Sequence, residues 1–132
     1  MRCSLLIVFL LFWEIPKSVA LKVDTLFWAN FGKVVVSHPD KAPVAFVIFI
    51  SGDGGWDKIA VNMTQNIVSQ GAIVAGVNIV SYLKKEKSSK SKCYYPASDL
   101  EEISLSIQKK YRFDKYLKPI LVGYSSGATL AY

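Results

Sequence analysis

Histidine and cysteine are scarce in this 132-residue sequence, which contains one histidine, His38, and two cysteines, Cys3 and Cys93. These residues form no metal-ligand cluster, and we expect neither a metal nor a cofactor. Cys3 lies in a stretch that we predict to be removed, so the mature chain would keep Cys93 alone, without an internal disulfide. Cys93 is then a free loop thiol, one half of an intermolecular bond, or the partner of a cysteine outside this sequence.

A hydrophobic run long enough to span a membrane is also lacking. The run near the N-terminus extends only from Leu5 to Trp13, whereas a transmembrane helix needs roughly 20 residues. Arg2 precedes the run, and the small-residue pattern Ser18-Val19-Ala20 follows it, which is typical of a secretory signal peptide. We therefore predict that residues 1–20 are a signal peptide cleaved after Ala20, with an uncleaved anchor as the alternative.

Motifs for nucleotides and nucleic acids are absent as well. The sequence has no G-x-x-x-x-G-K-[ST], no dinucleotide fingerprint and no nucleic-acid motif, so we expect no nucleic-acid partner. The formal net charge is +6, but much of the excess comes from one lysine-rich segment, Lys84 to Lys92, which we predict to be a loop. A charge run of this kind is usually solvated; the alternative is attraction to anionic phospholipid, worth about 1 kcal/mol per lysine near a charged surface.

Hydrophobic residues make up 52% of the sequence, enough for a packed core. Residues 21–36 predict two short strands around a turn at Asn30-Phe31-Gly32. Three apolar stretches follow, at 43–50, 72–80 and 119–124, and each is typical of a strand buried on both faces. Helices are predicted between them, so the order of elements indicates an α/β protein with a mostly parallel sheet and flanking helices.

The first predicted helix covers residues 57–70, with Gly71 at its C-terminal cap. The second is predicted to open at Ser98, because Ser98-Asp99-Leu100-Glu101 has the form of a capping box. Its spacing predicts a buried stripe formed by Leu100, Ile103, Leu105 and Ile107. Lys109, Lys110 and Arg112 suit the negative end of this helix dipole.

A G-x-S-x-G motif, Gly123 to Gly127, stands between the last apolar strand and a helix-forming segment. This context predicts a nucleophile elbow, with glycine required at both ends for close packing of strand and helix. Ser125 is then the candidate nucleophile, and the backbone N–H of Ser126 is a candidate donor to the oxyanion. The alternative is a plain turn in which Ser126 caps an ordinary helix.

A glycine-rich loop, Ser51 to Trp56, follows the first apolar strand, at the edge where open α/β sheets bind ligands. The backbone of Gly52, Asp53 and Gly54 is a candidate for the remaining oxyanion donor, because glycine lets an N–H approach a substrate closely. The alternative is a simple turn. Asp53 could contact a polar or cationic head group, although aspartate between glycines is commonly a turn former.

Ser51-Gly52-Asp53-Gly54-Gly55-Trp56, Gly76-Val77-Asn78 with Tyr82, and Gly123-Tyr124-Ser125-Ser126-Gly127-Ala128 together resemble the VirJ/AcvB group of bacterial virulence proteins. The resemblance covers about residues 44–132. It implies an α/β-hydrolase fold, a periplasmic location, and association with type IV secretion or virulence. For some members of the group it implies hydrolysis of aminoacylated phosphatidylglycerol.

The resemblance also implies an acid and a histidine after the serine, in the order Ser, Asp, His. The sequence ends at Tyr132, and its histidine, His38, precedes the serine. We therefore expect residues 21–132 to be an incomplete domain, inactive in this form. Two functions stay open: a periplasmic serine hydrolase acting on an ester, such as a lipid aminoacyl ester, and a noncatalytic periplasmic accessory protein that binds secretion-system proteins.

Overall fold

A computed structural model describes residues 21–88 and 95–132. The predicted signal peptide, Cys93, Lys90 and Lys92 lie outside these residues. The elements in chain order are β1 (Lys22–Trp28), β2 (Gly32–His38), β3 (Ala45–Ile50), α1 (Lys58–Ser69), β4 (Ala72–Val77), α2 (Ile79–Ser88), α3 (Pro96–Lys110), β5 (Pro119–Gly123) and α4 (Gly127–Ala131).

The strands form a five-stranded sheet in the order β1-β2-β4-β3-β5. The β2 strand pairs antiparallel with β1 and β4, whereas β3 pairs parallel with β4 and β5. The α/β class and the mostly parallel sheet with flanking helices are thus confirmed, with a β1–β2 hairpin added at one side. One row across the sheet joins Val34, Val77, Ile50 and Gly123, and it marks the carboxyl edge of the parallel strands.

Two hydrophobic clusters cover the two faces of the sheet. Along β3, Phe46, Ile48 and Ile50 belong to the cluster that includes residues of α2 and α3. Val47 and Phe49 point the other way and belong to the cluster that includes residues of α1. The continuous apolar sequence of β3 therefore arises because helices cover both of its faces.

The prediction of a strand to Val80 is wrong, and the prediction of a lysine-rich loop is wrong for residues 84–88, the part that the structure describes. The β4 strand ends at Val77 and α2 begins at Ile79. The Asn78 side-chain oxygen accepts hydrogen bonds from the backbone N–H of Val80 (3.0 Å) and Ser81 (3.4 Å), so it satisfies N–H groups that a helix start leaves free. The lysines at 84, 85 and 87 accordingly project from a helix.

The prediction for the start of α3 is also wrong. The helix begins at Pro96 rather than at a Ser98 cap, and proline suits the first helical position because its missing N–H would be unpaired there anyway. Arg112 lies beyond the end of the helix.

Within α3, the predicted buried stripe is right for Leu100, Ile103 and Ile107 and wrong for Leu105, whose side chain is 51% exposed. Ser104 and Gln108 are buried in its stead. The reason is a set of hydrogen bonds that satisfies the Gln108 amide inside the protein. Its Nε2 donates to the Leu117 carbonyl at 2.8 Å, and its Oε1 accepts from the Leu117 N–H at 2.7 Å.

The prediction that the last strand is buried on both faces is wrong as well. In the described part of the chain, β5 has β3 as its single neighbour and forms one edge of the sheet. Ile120 is 53% exposed and Leu121 is 38% exposed. Its position beside β3 nevertheless sets the geometry of the site, because the register places Gly123 next to Ile50.

Candidate active site

The carboxyl edge of the parallel strands brings together the two glycine-containing segments that the sequence motifs indicated. Tyr124 continues the pairing of β5 with β3 by donating its N–H to the Ile50 carbonyl at 3.0 Å. Ser51 extends the pairing of β3 with β4 by donating its N–H to the Val77 carbonyl at 2.9 Å. Both strands therefore end at the same level, and the segments that follow them are neighbours.

Ser125 occupies a turn between β5 and α4 with left-handed backbone geometry, φ 53°. This conformation costs a residue with a Cβ about 1 kcal/mol. Hydrogen bonds close the turn on both sides, from the Gly127 N–H to the Tyr124 carbonyl (2.9 Å) and from the Ala128 N–H to the Ser125 carbonyl (3.0 Å). The serine itself is exposed, as an attacking group must be.

Both glycines of the motif lie against backbone atoms. A Cβ at Gly123 would lie 2.4 Å from the Gly127 carbonyl oxygen. A Cβ at Gly127 would lie 2.4 Å from the carbonyl oxygens of Ile50 and Ser51. Backbone cannot rotate aside as a side chain can, so the approach of α4 to β3 and β5 requires glycine at these positions.

The glycine-rich loop lies directly against the elbow. A Cβ added to Gly52 would be 3.1 Å from the Ser125 Cβ and 3.0 Å from Cδ1 of Tyr124. The loop then turns back, with the Gly55 N–H donating to the Gly52 carbonyl at 2.9 Å. Asp53 and Gly54 are exposed at the tip of this turn. No acceptor in residues 21–88 and 95–132 takes the backbone N–H of Gly52, Asp53, Gly54 or Ser126.

Ser51 contributes to the loop in a way that sequence reasoning missed. It is fully buried, and its Oγ accepts the backbone N–H of Ile79 at 3.1 Å. This bond attaches the start of the loop to the first turn of α2. A serine directly after an apolar strand was the available signal, but its partner lies 28 residues further along the chain.

Trp56 anchors the other end of the loop. Its indole lies on the backbone of β4, because a Cβ at Gly76 would come within 1.9 Å of the Trp56 Cη2. The indole also meets the Phe49 ring edge to face, with 6.0 Å between ring centroids. Trp56 and Gly76 both belong to the motifs of the family resemblance, but nothing in those motifs indicated that the two residues touch.

Ser126 does not cap α4 with its side chain. Within the described residues its Oγ is buried and has no hydrogen-bond partner. The alternative in which this serine serves as an ordinary helix cap is therefore not what the structure shows.

Comparison with known proteins places the whole site in one family. Residues 44–131, which include both the loop and the elbow, match the model of the bacterial virulence protein (VirJ) family. The chain belongs to the VirJ family. No curated protein matches this chain.

A solved structure shares the fold of this VirJ-family chain. It is the crystal structure of a highly thermostable carboxyl esterase from Bacillus coagulans in complex with glycerol, which is similar with a TM-score of 0.57 at 20% sequence identity. The similarity covers 86% of this chain and 39% of the esterase, so the chain spans well under half of that enzyme's length. At this identity the match shows an α/β-hydrolase fold.

His38 lies far from the serine in the VirJ-family chain. His38 is the last residue of β2, and its neighbour Ser37 lies opposite Val74 in the first half of β4. Ser125 comes two residues after Gly123, which is level with Val77 at the other end of β4. At about 3.3 Å per residue, His38 and Ser125 are roughly 20 Å apart along the strands. His38 therefore cannot be the base of Ser125, as its order in the sequence already indicated.

The structure gives His38 other partners. Its Nε2 lies 3.2 Å from Oδ2 of Asp24, and the Tyr111 hydroxyl donates to the same carboxylate oxygen at 2.8 Å. The hydrogen bond from Tyr111 holds the pKa of Asp24 below its usual value, and burial lowers the pKa of His38. Burial, together with the nearby Asp24 charge, raises the pKa of Tyr111 well above 10.

These shifts predict a plateau of stability against pH. The pKa values of Asp24 and His38 are lower in the folded protein than in the unfolded chain, so acid favours unfolding. The protein is expected to lose stability as pH falls below about 6.5, because of His38, and again below about 3.8, because of Asp24. A raised pKa means that stability from Tyr111 is lost as pH rises above about 10. Thermal melts should therefore show the highest Tm between about pH 6.5 and 10.

Tyr111→Phe tests this assignment. We expect the variant to lose the decrease of Tm above pH 10 and to retain the decrease below pH 6.5, which His38 causes. Tyr132→Phe is a control on a fully exposed tyrosine whose hydroxyl has no hydrogen-bond partner within the described residues. If Tm still decreased above pH 10 in Tyr111→Phe as it does in the unmodified chain, ionisation of Tyr111 would not be the cause of that decrease.

Metal-binding clusters and membrane-spanning helices are two other features that could indicate a function. In residues 21–88 and 95–132, no group of three or more histidine, cysteine, aspartate or glutamate side chains could hold a metal ion. Among the helices of the same residues, none combines the length and apolar character needed to cross a membrane.

Proposed function

We propose that this VirJ-family chain carries the nucleophile and the oxyanion-binding loop of an ester hydrolase. The observation that carries the proposal is the geometry at Ser125. An exposed serine is held in a left-handed turn by glycines packed on backbone, with the Gly52 loop against its Cβ. A turn of this kind is maintained at an energetic cost, and such strain in a non-glycine residue is concentrated at functional sites.

The chemistry requires donors for the negative charge that develops on the carbonyl oxygen. Ser125 Oγ would attack the ester carbonyl and give a tetrahedral intermediate, which expels the alcohol to leave an acyl-serine that water hydrolyses. The N–H of Ser126 and the N–H groups of Gly52 to Gly54 are candidate donors, because none is used within the described residues. One such donor is worth about 10²–10³ in kcat in characterised hydrolases.

The general base is the part of the machinery that His38 does not supply, because it lies roughly 20 Å away and bonds Asp24. We propose that the base comes from outside residues 21–132, and that the substrate is an ester of an anionic or aminoacylated phospholipid in the periplasm. The same position of His38 favours a second candidate, a noncatalytic periplasmic accessory protein that contacts secretion-system proteins.

Rescue by imidazole separates the two candidates. The 132-residue chain is incubated with p-nitrophenyl acetate with and without imidazole, which can enter beside the exposed Ser125 and replace the base. Because the oxyanion donors and binding alone support about 10³-fold catalysis over water in triad enzymes lacking one member, we expect a residual rate that imidazole increases. Imidazole itself cleaves p-nitrophenyl acetate, so each rate is corrected for a protein-free reaction at the same imidazole concentration. Ser125→Ala should abolish the increase that remains after this correction.

Ser69→Ala serves as the matched control, since Ser69 is exposed at the end of α1 and lies beside the start of β4, at the opposite edge of the sheet from Ser125. It should retain the full rate with imidazole. Equal rates for the unmodified chain and Ser125→Ala under both conditions would contradict the hydrolase and favour the accessory protein.

A further inference from the structure

A cavity lies at the opposite edge of the sheet from Ser125. Its volume is about 590 Å³, and it is bounded by the end of β2, the β2–β3 connection and the segment that follows α3. This volume falls within the range of about 300–1,000 Å³ that is usual for small-molecule sites. Neither the hydrolase site nor the family match assigns it a role.

The cavity combines an apolar wall with a cationic rim. Ile73, Phe113 and Leu117 contribute to the apolar wall. The cationic side chains are Lys41, Arg112 and Lys115, and the single acidic lining residue is Asp114. None of these cations forms an ion pair within residues 21–88 and 95–132, where the one ion pair found is His38 with Asp24.

The other polar groups of the cavity are already engaged. The His38 ring and the Tyr111 hydroxyl both bond the Asp24 carboxylate. The polar groups left for a ligand are therefore predominantly positive, which favours an anionic group beside an apolar body.

Arg112 provides an independent indication. It follows the C-terminal cap of α3 in left-handed geometry, φ 53°. The Phe113 N–H donates to the Gln108 carbonyl and the Arg112 N–H to the Lys109 carbonyl, both at 3.1 Å, which is the Schellman pattern. Glycine is the usual residue at this position because it avoids the strain that a Cβ causes. Arg112 is therefore strained in this conformation, and the same conformation places its side chain at the rim of the cavity.

We propose that this cavity binds small amphiphilic carboxylates, with their apolar part against Ile73, Phe113 and Leu117. The carboxylate is held by Arg112, with Lys41 and Lys115 beside it. Arginine suits this role because its planar guanidinium can bond both carboxylate oxygens.

Arg112→Gly separates ligand binding from folding, because the two should change in opposite directions. Glycine relieves the left-handed strain, so we expect Tm to rise by about 3 °C. The same change removes the carboxylate partner, so we expect octanoate affinity, measured by calorimetric titration, to fall about tenfold. Lys118→Gln is the matched control, because Lys118 is exposed, lies near in sequence and does not line the cavity.

Comparison of octanoate with 1-octanol tests the charge requirement. We expect octanol to bind the unmodified chain more weakly than octanoate and to bind Arg112→Gly equally well. Equal affinity for the two compounds, or octanoate affinity unchanged in Arg112→Gly, would overturn the proposal. Failure of octanoate to bind, together with Arg112-dependent sedimentation on phosphatidylglycerol vesicles, would also overturn it, because it would assign the cationic rim to a membrane surface.

Discussion

Gly127→Ala should lower the free energy of unfolding by about 3 kcal/mol or more, the upper range for overpacking. The new methyl group would lie 2.4 Å from two carbonyl oxygens, those of Ile50 and Ser51. The Ile50 oxygen accepts the Tyr124 N–H, so it cannot move without breaking the pairing of β3 with β5. Alanine is normally favoured over glycine within a helix by about 0.5–1 kcal/mol, so a loss here would come from the contact alone. Urea denaturation followed by circular dichroism measures it.

Gly32→Ala is the control, since a Cβ added there would meet no atom within 4 Å and the φ of this glycine is +71°. Gly32→Ala should lower the free energy of unfolding by about 1 kcal/mol, because the left-handed backbone strain is the only cost of the added Cβ. If the two variants lost similar stability, close packing of α4 on the sheet would not be the reason for glycine in the motif.

Gln108→Met should destabilise the protein by about 1–3 kcal/mol in total, because it removes the hydrogen-bond partner of the half-buried Leu117 N–H and carbonyl. Methionine has nearly the same length and flexibility, so packing changes little. The lost hydrogen bonds are those to the Leu117 N–H and carbonyl and to the Ser104 Oγ. Urea denaturation again gives the free energy of unfolding.

Gln65→Met is the matched control on an exposed position of α1. It should change stability by less than about 0.5 kcal/mol, as surface substitutions usually do. A neutral Gln108→Met would show that water replaces the glutamine amide at Leu117, and the role assigned to Gln108 would be wrong.

The layered fold could be predicted because its signals are local. Residues 45–50 are apolar at every position, which requires cover on both faces of the strand. The tight turn at Ser125 was predictable for the same reason, since Gly123, Ser125 and Gly127 lie between an apolar strand and a helix-forming segment. Periodicity and spacing within ten residues contain this information.

The misassigned elements depend on contacts between distant segments. Periodicity places Leu105 inside and Gln108 outside, but Gln108 pairs with the backbone of Leu117 and is thereby stabilised in the interior. The start of α2 depends partly on Ser51, 28 residues earlier, whose hydroxyl satisfies the N–H of Ile79. Neither partner can be identified from the residues of the helix itself.

The left-handed turn at Ser125 has a consequence for how relatives of this chain would diverge. Glycine, or asparagine, fits φ 53° with less strain than serine. In a relative that no longer used the hydroxyl, replacement of Ser125 by glycine or asparagine would increase stability, and selection would not oppose it. If many relatives kept serine at this position while the residues around it varied, continued selection for the reactivity of the hydroxyl would be the explanation.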